Sequence, residues 1–344
     1  MNDVADFDVA IIGAGPSGSV SAALLHQQGF RVCVIERTHF PRFVIGESLL
    51  PYSMDILEEA DLVRVVQAQQ GFQYKNGAAF TWGERYTWFD FTDKFSKGPG
   101  TTFQVQRAVF DKILIDEVER RGVTVRYGQN VTGYEEVEGA SGEHLARLRI
   151  EAPEGAYTLQ ARFVLDASGY GRVLPRLLGL ERPSVLSPRK AIFTHIDDRI
   201  VGDDFDRNKI LISTHPAERG VWSWLIPFGN GRSSIGFIGE PEWISQRAAG
   251  LKAADEGALN EALLRGVVAE IPRLSRILRN AVWDNGVPFS SISNYSANVT
   301  TLVGRNFALL GNAAEFLDPV FSSGVTVALQ SARLASRVLG RQLR

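Results

Sequence analysis

The strongest constraint on the fold is a glycine-rich turn near the start of the chain. The apolar run Phe7–Ile12 leads into the sequence G-A-G-P-S-G, which begins at Gly13 and continues into a helix-forming stretch. In a strand–turn–helix unit, Gly13 permits the tight turn, Gly15 lets a pyrophosphate approach the backbone, and Gly18 lets helix and strand pack closely. The helix N-terminus, which includes Ser17, presents free N–H groups to the phosphates. The pattern predicts a dinucleotide site.

An acidic residue at the end of the next strand strengthens this prediction. The strand-like run 31–35 is followed by Glu36, which lies 18 residues after Gly18. A carboxylate at that place can accept both ribose hydroxyls of an adenosine, and it would repel a 2′-phosphate. A lone G-x-G-x-x-G motif is a weak signal, whereas strand, turn, helix, strand and acidic residue in this order are a strong one.

The composition narrows the class of protein. The 344 residues carry a formal net charge of −2, so strong attraction to nucleic acid or to an anionic membrane is not expected. The single cysteine, Cys33, excludes an intrachain disulfide and favours a reducing compartment. The histidines show no metal-ligand spacing, and no apolar run approaches the ~20 residues of a membrane span. We expect a cytoplasmic protein without a metal or a signal peptide.

Two later segments resemble the nucleotide-contacting segments of the flavin hydroxylase superfamily. They are the run 163–169, which contains Asp166, and the run 307–314, which contains Gly311 and Asn312. The resemblance implies FAD rather than NAD as the cofactor, and an FAD-binding lobe that is discontinuous in sequence. The superfamily usually has Asp where Asn312 stands, so we expect FAD binding weaker than usual.

The predicted fold class is α/β, because segments of two kinds interleave along the chain. A Rossmann-like parallel sheet forms the FAD-binding lobe, into which a mainly antiparallel sheet covered by helices is inserted as a substrate lobe. The FAD-binding lobe is assigned residues 1–71, 101–170 and 281–344, and the substrate lobe is assigned residues 72–100 and 171–280.

Periodicity and turn residues predict the elements within these lobes. Helices are predicted over 54–69, 107–121, 253–278 and 325–343. Strands are predicted over 191–196, 209–214, 220–226 and 233–238, with a hairpin over 145–165 and a hairpin turn at Asn76-Gly77.

Three further segments, taken with the glycine-rich turn, resemble the flavin-dependent halogenases over nearly the whole chain. They are the W-x-W-x-I-P sequence of Trp222–Pro227, the segment around Lys75, and the F-x-x-P-x-x-S-x-G sequence from Phe316 to Gly324. The resemblance implies a position between the flavin and a substrate tunnel for Trp222, Trp224, Ile226 and Pro227. Alternate strand residues share a face, so the two indoles should stand together. The alternative is that they fill the core between the lobes.

The resemblance identifies Lys75 with the essential lysine of the halogenases. In that family, reduced flavin and O2 give a C4a-hydroperoxide, halide attacks it to form hypohalous acid, and this oxidant travels to the lysine. A desolvated ammonium can hydrogen-bond and polarise the oxidant or be converted to a haloamine. The alternative is a solvated lysine at the tip of a hairpin beside Asn76-Gly77.

The segment that contains Pro319 and leads into the last helix is a predicted anion site. Ser323 and Gly324 lie at or just before the helix N-terminus, where free N–H groups attract anions. The resemblance implies that these amides bind halide beside the flavin. The same amides can instead hold the edge of the flavin ring or cap the helix, and both interpretations stay open.

The halogenase resemblance also bears on the substrate. Tryptophan halogenases carry Glu where this chain has Phe321, and a carboxylate assists proton loss from an attacked indole. Its absence favours a phenolic or pyrrole-like ring, and the sequence G-E-S-L-L-P is closer to that branch. The resemblance also assigns Ser48 of this segment to cofactor binding. Glu47 is expected either to contact the flavin or to cap the next helix, and both interpretations stay open. Arg42 and Arg107 stand where the superfamily contacts flavin or pyrophosphate, with surface salt bridges as the alternative.

Three classes of function follow. The first is an FAD-dependent halogenase that receives reduced flavin from a separate reductase, since no second nucleotide motif is visible. The second is an FAD-dependent monooxygenase, dehydrogenase or reductase of secondary or pigment metabolism, and the third is a non-catalytic flavoprotein partner. Halogenases of this type generally continue well past the F-x-x-P-x-x-S-x-G segment, whereas this chain stops 20 residues after Gly324. The difference suggests a large or carrier-bound substrate, a partner that completes the site, or a protein that no longer halogenates.

Overall fold

Strands and helices alternate along much of the chain. The computed structural model describes residues 5–140, 142–202, 205–293, 295–316 and 319–344, so Leu317 and Asp318 of the F-x-x-P segment lie outside the described residues. The strands are β1 (Phe7–Ile12), β2 (Val32–Glu36), β3 (Gln73–Lys75), β4 (Gly77–Trp82), β5 (Arg85–Asp90), β6 (Thr102–Gln104), β7 (Thr124–Tyr127), β8 (Asn130–Glu138), β9 (His144–Ala152), β10 (Gly155–Asp166), β11 (Glu181–Arg182), β12 (Lys190–Asp197), β13 (Lys209–Thr214), β14 (Trp222–Pro227), β15 (Arg232–Gly239), β16 (Ser290–Ser293), β17 (Asn298–Val299) and β18 (Phe307–Leu309). The helices are α1 (Pro16–Gln27), α2 (Tyr52–Glu59), α3 (Val63–Gln67), α4 (Arg107–Arg120), α5 (Val173–Leu177), α6 (Pro241–Ala248), α7 (Glu256–Glu270), α8 (Pro272–Ile277) and α9 (Gly324–Gln342).

The first sheet combines a parallel part with an antiparallel extension. Its order is β7-β2-β1-β10-β9-β8, and β18 pairs with the second half of β10. The pairs β7·β2, β2·β1, β1·β10 and β10·β18 are parallel, whereas β10·β9 and β9·β8 are antiparallel. Parallel strands end at the same edge of a sheet, so the turns after β1, β2, β10 and β18 meet at one edge. The predicted strands and hairpin of this lobe are confirmed.

The second sheet has the order β16-β12-β15-β14-β13-β4-β5. Its pairs are antiparallel except β13·β4, which is parallel. On one face Leu225 and Phe237 pack with Val267 of the covering helices, and on the other face Trp224 and Ile212 belong to a separate apolar cluster. The predicted α/β fold class, with an inserted antiparallel sheet covered by helices, is confirmed.

The predicted helix over 54–69 is wrong, because the segment forms α2 and α3. The two are separated by Asp61, whose φ is 55°. The backbone N–H of Leu62 donates to the carbonyl of Leu57 at 2.7 Å, which closes α2 with a left-handed residue before the chain turns. Aspartate tolerates that conformation better than most residues, and the helical periodicity continues past it undisturbed.

The predicted helix over 253–278 also divides, into α7 and α8. Ile271, between them, has extended backbone with φ −103° and ψ 102°. Pro272 begins α8, and a proline both lacks an N–H donor and disfavours helical backbone in the residue before it.

The predicted hairpin turn at Asn76-Gly77 is wrong. β3 pairs with β6, whereas β4 pairs with β5 and β13, so the chain passes from one sheet to another at this point. Gly77 is required by crowding, because a Cβ there would lie 2.2 Å from the carbonyl oxygen of Phe89. The turn that joins β4 to β5 contains Gly83, whose φ is 59°.

One strand crosses the predicted lobe boundaries. The sequence assigns 281–344 to the FAD-binding lobe, yet β16 pairs with β12 and extends the second sheet. The remaining boundaries stay a prediction.

Gly236 on β15 leaves the space that the indole of Trp224 occupies. The two residues are cross-strand partners, and a Cβ on Gly236 would lie 2.3 Å from Cζ2 of Trp224 and 2.7 Å from Cβ of Phe193. We expect Gly236→Ala to lower the free energy of unfolding by about 1–3 kcal/mol, because the ring must leave its position. Urea unfolding followed by tryptophan fluorescence measures this.

The matched control is Gly266→Ala in α7, where no atom lies within 4 Å of the added Cβ. That change should raise stability by about 0.5–1 kcal/mol through lower backbone entropy of the unfolded chain. Equal stability of Gly236→Ala and wild type would contradict the placement of Trp224.

Candidate functional site

A cavity of about 480 Å³ lies between the edge of the first sheet and the open face of the second. The first lobe contributes the nucleotide turn, the loop 42–48, the turn after β10 and the start of α9. The second sheet contributes mainly apolar side chains. Of the residues predicted from the sequence, those that line the cavity are Gly15, Ser17, Arg42, Glu47, Ser48, Arg107, Trp222, Trp224, Ile226, Asn312, Pro319 and Gly324. Those that do not are Gly13, Gly18, Glu36, Lys75, Asp166, Pro227, Gly311 and Ser323.

The glycine turn has the geometry that a nucleotide site requires. Gly13 has φ 99°, and a Cβ on Gly18 would lie 1.9 Å from the carbonyl oxygen of Gly13. Gly15 faces the cavity, where the nearest atom to an added Cβ is Nη2 of Arg42 at 3.6 Å. Two glycines therefore permit close contact within the protein, and the third leaves the backbone accessible.

Glu36 stabilises this turn from behind. Its carboxylate accepts hydrogen bonds from the backbone N–H of Ala14 at 2.9 Å and from the N–H and hydroxyl of Thr38 at 3.0 and 2.7 Å. The side chain is buried and does not line the cavity. Ribose recognition by Glu36 remains a prediction.

A buried ion-pair cluster holds two arginines at the cavity. Arg107 donates to both carboxylate oxygens of Asp111, from Nε at 2.7 Å and from Nη2 at 2.9 Å. Nη2 of Arg42 lies 3.8 Å from the same carboxylate and 3.7 Å from that of Glu36. Nε of Arg42 is buried without a hydrogen-bond partner among the described residues. The cluster thus holds the Arg42 and Arg107 side chains at the cavity wall through buried carboxylates, and surface salt bridges do not describe it.

Asp111 was not predicted as a site residue. It lies four residues after Arg107 in α4, so the signal available in the sequence is an i, i+4 pair of opposite charge on the buried side of a helix.

The turns after β10 and β18 carry the next part of the wall. Asp166 is fully buried, and its two oxygens accept from the backbone N–H groups of Ser168 at 2.9 Å and Leu174 at 2.7 Å. It thereby fixes residues 167–171, which line the cavity. Contact of Asp166 with the cofactor remains a prediction.

Asn312 lines the cavity beside Tyr170. Burial raises the pKa of Tyr170 to about 12, and a hydrogen bond with the side chain of Asn312 opposes that rise. Gly311, just before, has φ 51°, and a Cβ there would lie 2.8 Å from Cβ of Ala328 in α9. Buried Arg172, which was not predicted, donates to the carbonyl of Ala314 at 3.1 Å and so supports this turn.

An aromatic wall faces these turns from the second sheet. Trp222, Trp224 and Ile226 alternate along β14 and all line the cavity, and the two indole centroids are 6.2 Å apart. Nε1 of Trp224 donates to the hydroxyl of Ser234 at 3.1 Å, so its polar end is satisfied. Pro227 is buried at the end of the strand and does not reach the cavity.

The N-terminus of α9 reaches the same cavity. The helix begins at Gly324, which lines the cavity together with Pro319 and Ser322, and Ser323 is its N-cap. The free N–H groups and the positive end of the 19-residue helix are thus at the cleft.

A carboxylate–imidazole pair joins the two lobes. Oε1 of Glu47 lies 2.7 Å from Nε2 of His195 on β12, and both side chains are buried. The N-cap of α2 is Pro51 with no side-chain cap, so the interpretation of Glu47 as a helix cap is wrong. His195 was missed because a single histidine in an apolar strand carries no spacing signal.

Lys75 is fully buried, so its interpretation as a solvated lysine is wrong. Its ammonium donates to Oγ of Ser48 at 2.6 Å and to the carbonyl of Leu49 at 2.8 Å, and the Phe91 ring centroid is 5.2 Å away. Burial lowers the pKa of Lys75 to about 7. Lys75 does not line the cavity, whereas Ser48 does.

Within the described part of the chain, no group of three His, Cys, Asp or Glu side chains could hold a metal ion. Among the same residues, no helix combines the length and hydrophobicity that crossing a membrane needs.

Comparisons with known proteins agree with this geometry. A family described as "FAD binding domain" matches residues 6–344. Among solved structures, the chain is 40% identical to a flavoprotein/dehydrogenase from Cytophaga hutchinsonii over 98% of this chain and 78% of that one, with a TM-score of 0.87. It is 31% identical to the myxobacterial chondrochloren halogenase CndH over 98% of this chain and 75% of that one, with a TM-score of 0.81.

Curated sequences add a relative with a named substrate. The chain is 29% identical to the 1H-pyrrole-2-carbonyl-(peptidyl-carrier protein) chlorinase of Pseudomonas fluorescens over 96% of this chain and 75% of that protein. The curated relatives are longer, and the first two are spanned to 75% and 60% of their length.

The low pKa of Lys75 predicts an unusual dependence of stability on pH. Between about pH 7 and pH 10 the unfolded lysine binds a proton that the folded one does not, so stability should rise with pH in this window. We expect the unfolding free energy of wild type to rise relative to that of Lys75→Met by up to about 1.4 kcal/mol per pH unit. Denaturant unfolding at a series of pH values measures it.

The control is Lys97→Met, which removes an exposed lysine charge. A difference between wild type and Lys75→Met that follows the control across the whole window would show that the buried amine keeps its proton.

Proposed function

We propose a function from the premise that the chain belongs to the FAD-binding domain family and is related to the flavin-dependent halogenases. The protein halogenates an electron-rich aromatic ring, phenolic or pyrrole-like, with FAD and a halide ion. The observation that carries this proposal is the single cleft at which the nucleotide turn, a helix N-terminus, a wall of indoles and the Ser48–Lys75 pair are assembled.

FAD is the cofactor, and the residues of the cleft fit it. Gly15 leaves backbone accessible to the pyrophosphate, and the guanidinium of Arg42, which lines the cavity beside Gly15, supplies a positive charge there. Asn312 offers an amide to a ribityl hydroxyl. When bound and reduced by a separate flavin reductase, FAD supplies the activation of O2 that oxidises halide to hypohalous acid.

The protein's own residues divide the remaining tasks. The N–H groups of Ser323 and Gly324, at the positive end of α9, hold the halide. Trp222, Trp224 and Ile226 form a wall that excludes water and keeps the aromatic substrate from the flavin. The buried ammonium of Lys75 polarises the oxidant, because a charge in a site of low dielectric acts more strongly than in water.

The choice of ring follows from the charges at the cavity. Phe321 stands where a tryptophan halogenase has Glu, and the carboxylate of Glu47 is paired with His195. A ring that stabilises its own cationic intermediate needs less help in losing a proton, as phenols and pyrroles do. The chlorinase of Pseudomonas fluorescens is named for a pyrrole on a carrier protein, which supports a tethered substrate here.

A second candidate is hydride transfer by a dehydrogenase or reductase. Two observations favour it: the relative from Cytophaga hutchinsonii is named flavoprotein/dehydrogenase, and Lys75 does not line the cavity. Ile226 and the segment around Lys75 favour the halogenase.

The test is mass spectrometry of products from protein supplied with FAD, a flavin reductase, NADH, bromide and a panel of phenols and pyrroles, both free and carrier-bound. We expect a paired bromine isotope pattern that Lys75→Ala removes. A single added oxygen, or two hydrogens gained or lost, would assign the protein to the monooxygenases or dehydrogenases. FAD binding with no product from any substrate would favour a non-catalytic partner.

A second prediction concerns the affinity for FAD. A carboxylate accepts a stronger hydrogen bond from a ribityl hydroxyl than an amide does, so Asn312→Asp should tighten FAD binding by about fivefold. Fluorescence titration of the apoprotein measures the dissociation constant. Sub-micromolar binding by wild type that Asn312→Asp leaves unchanged would contradict it.

A further inference from the structure

Ser48 stands between the Lys75 ammonium and the cavity. The Lys75 side chain has no exposed surface, and its Nζ donates to Oγ of Ser48 at 2.6 Å. Ser48 is 4% exposed and is part of the cavity wall, whereas Lys75 is not. Ser48 thus forms part of the cavity wall, and the charge that its hydroxyl contacts lies outside that wall.

The backbone holds this arrangement in place. Lys75 on β3 pairs with Thr102 of β6, and Ser48 forms a bridge with Gln104 of the same strand. The carbonyl of Leu49 accepts the second hydrogen bond of the ammonium at 2.8 Å. Turning Nζ into the cavity would break both bonds and leave a buried charge without partners, which is costly.

The hydroxyl of Ser48 is left with its proton to donate. Its oxygen accepts from Lys75, and among the described residues nothing accepts the Ser48 proton. A hydroxyl that accepts a charge-assisted hydrogen bond is polarised and becomes a stronger donor. The cavity is where such an acceptor would lie.

We propose that Ser48 is the catalytic residue that contacts the oxidant, and that Lys75 is a positioning residue that polarises the Ser48 hydroxyl from behind. This inference rests on the proposed halogenase function. The net reaction is Ar–H + HOX → Ar–X + H2O. The C–X bond forms as the O–X bond breaks with its electron pair on oxygen, and the proton lost from the ring ends on that oxygen as water. Ser48 donates a hydrogen bond to the oxygen as negative charge develops there.

The inference differs from a haloamine route. In that route the free amine of Lys75 attacks the oxidant, N–X replaces N–H, and water leaves. The amine would first have to leave its hydrogen bonds to Ser48 and Leu49, because Lys75 does not line the cavity. Lys75 should therefore remain unhalogenated during turnover.

The experiment compares Ser48→Ala, Ser48→Thr and Lys75→Met with wild type in bromination of a phenol or pyrrole that wild type brominates in the panel described above. At saturating FAD, Ser48→Ala should lower kcat by about 10²-fold, as does loss of one donor to a developing oxyanion, with KM little changed. Ser48→Thr keeps the hydroxyl and should recover most of kcat. Adding Lys75→Met to Ser48→Ala should cost little more, because the two residues act as one unit.

A readout independent of turnover tests the contact itself. Ser48→Ala removes one of two acceptors of the ammonium, so the rise of stability with pH that Lys75 causes should begin about one pH unit lower. The charged groups on neighbouring elements are engaged elsewhere, Glu47 with His195 and Lys209 with Asp206. An unshifted pH window would overturn the contact.

The control is Ser213→Ala, which removes a buried hydroxyl on the face of the second sheet away from the cavity and should leave kcat unchanged. Wild-type kcat in Ser48→Ala, or bromine on the Lys75 peptide formed as fast as product, would overturn the inference and leave the halogenase function standing. Wild type that gives no brominated product would instead remove the proposed function and with it the role of Ser48.

Discussion

The parallel pairing of β1 with β10 is the constraint on which the rest of the site depends. It aligns Ile12 with Asp166, so the glycine turn and the turn after β10 leave the sheet at the same level. The N–H of Ala167 donates to the carbonyl of Ile12 at 2.8 Å, and a Cβ on Gly13 would lie 2.7 Å from the carbonyl oxygen of Ala167. Two segments more than 150 residues apart in sequence therefore form one continuous edge. The cofactor cleft of doubly wound folds lies at such an edge.

Local patterns made much of this fold predictable. The run Phe7–Ile12, the glycines after it and the segment 209–214 each predict a strand or a turn from their own residues alone. The structure has these strands and this turn where they are expected. Asp61 shows where local reasoning fails, because a left-handed residue can end a helix without interrupting its apolar period. The predicted turn at Asn76-Gly77 is wrong for another reason. Glycine is required there because β5 lies too close for a side chain, and the sequence alone does not show that β5 is the neighbour.

The sequence predicted which segments form the candidate site, but not which side chains are buried or which contact one another. The exposure of Lys75 was uncertain from the sequence because its burial depends on β6 lying between residue 75 and the loop at Ser48. His195 and Asp111 could not be predicted as site residues for the same reason, since their roles depend on Glu47 and Arg42, which lie on other parts of the chain. Buried charges of this kind reduce stability relative to apolar residues, and proteins commonly accept that reduction at functional sites.

The Glu47–His195 bond has a consequence for how molecules reach the cleft. It joins the first lobe to the second sheet at the cavity wall, so a hinge motion that parted the lobes would have to break this buried hydrogen bond. A molecule that enters the cavity then has to pass between the side chains at its edge. Phe43 is such a side chain: it lines the cavity, is 48% exposed, and lies 6.0 Å from the ring of Phe193. The width of the entrance to the cavity is therefore set by a packed aromatic side chain beside a joint between the lobes that a hydrogen bond holds in place.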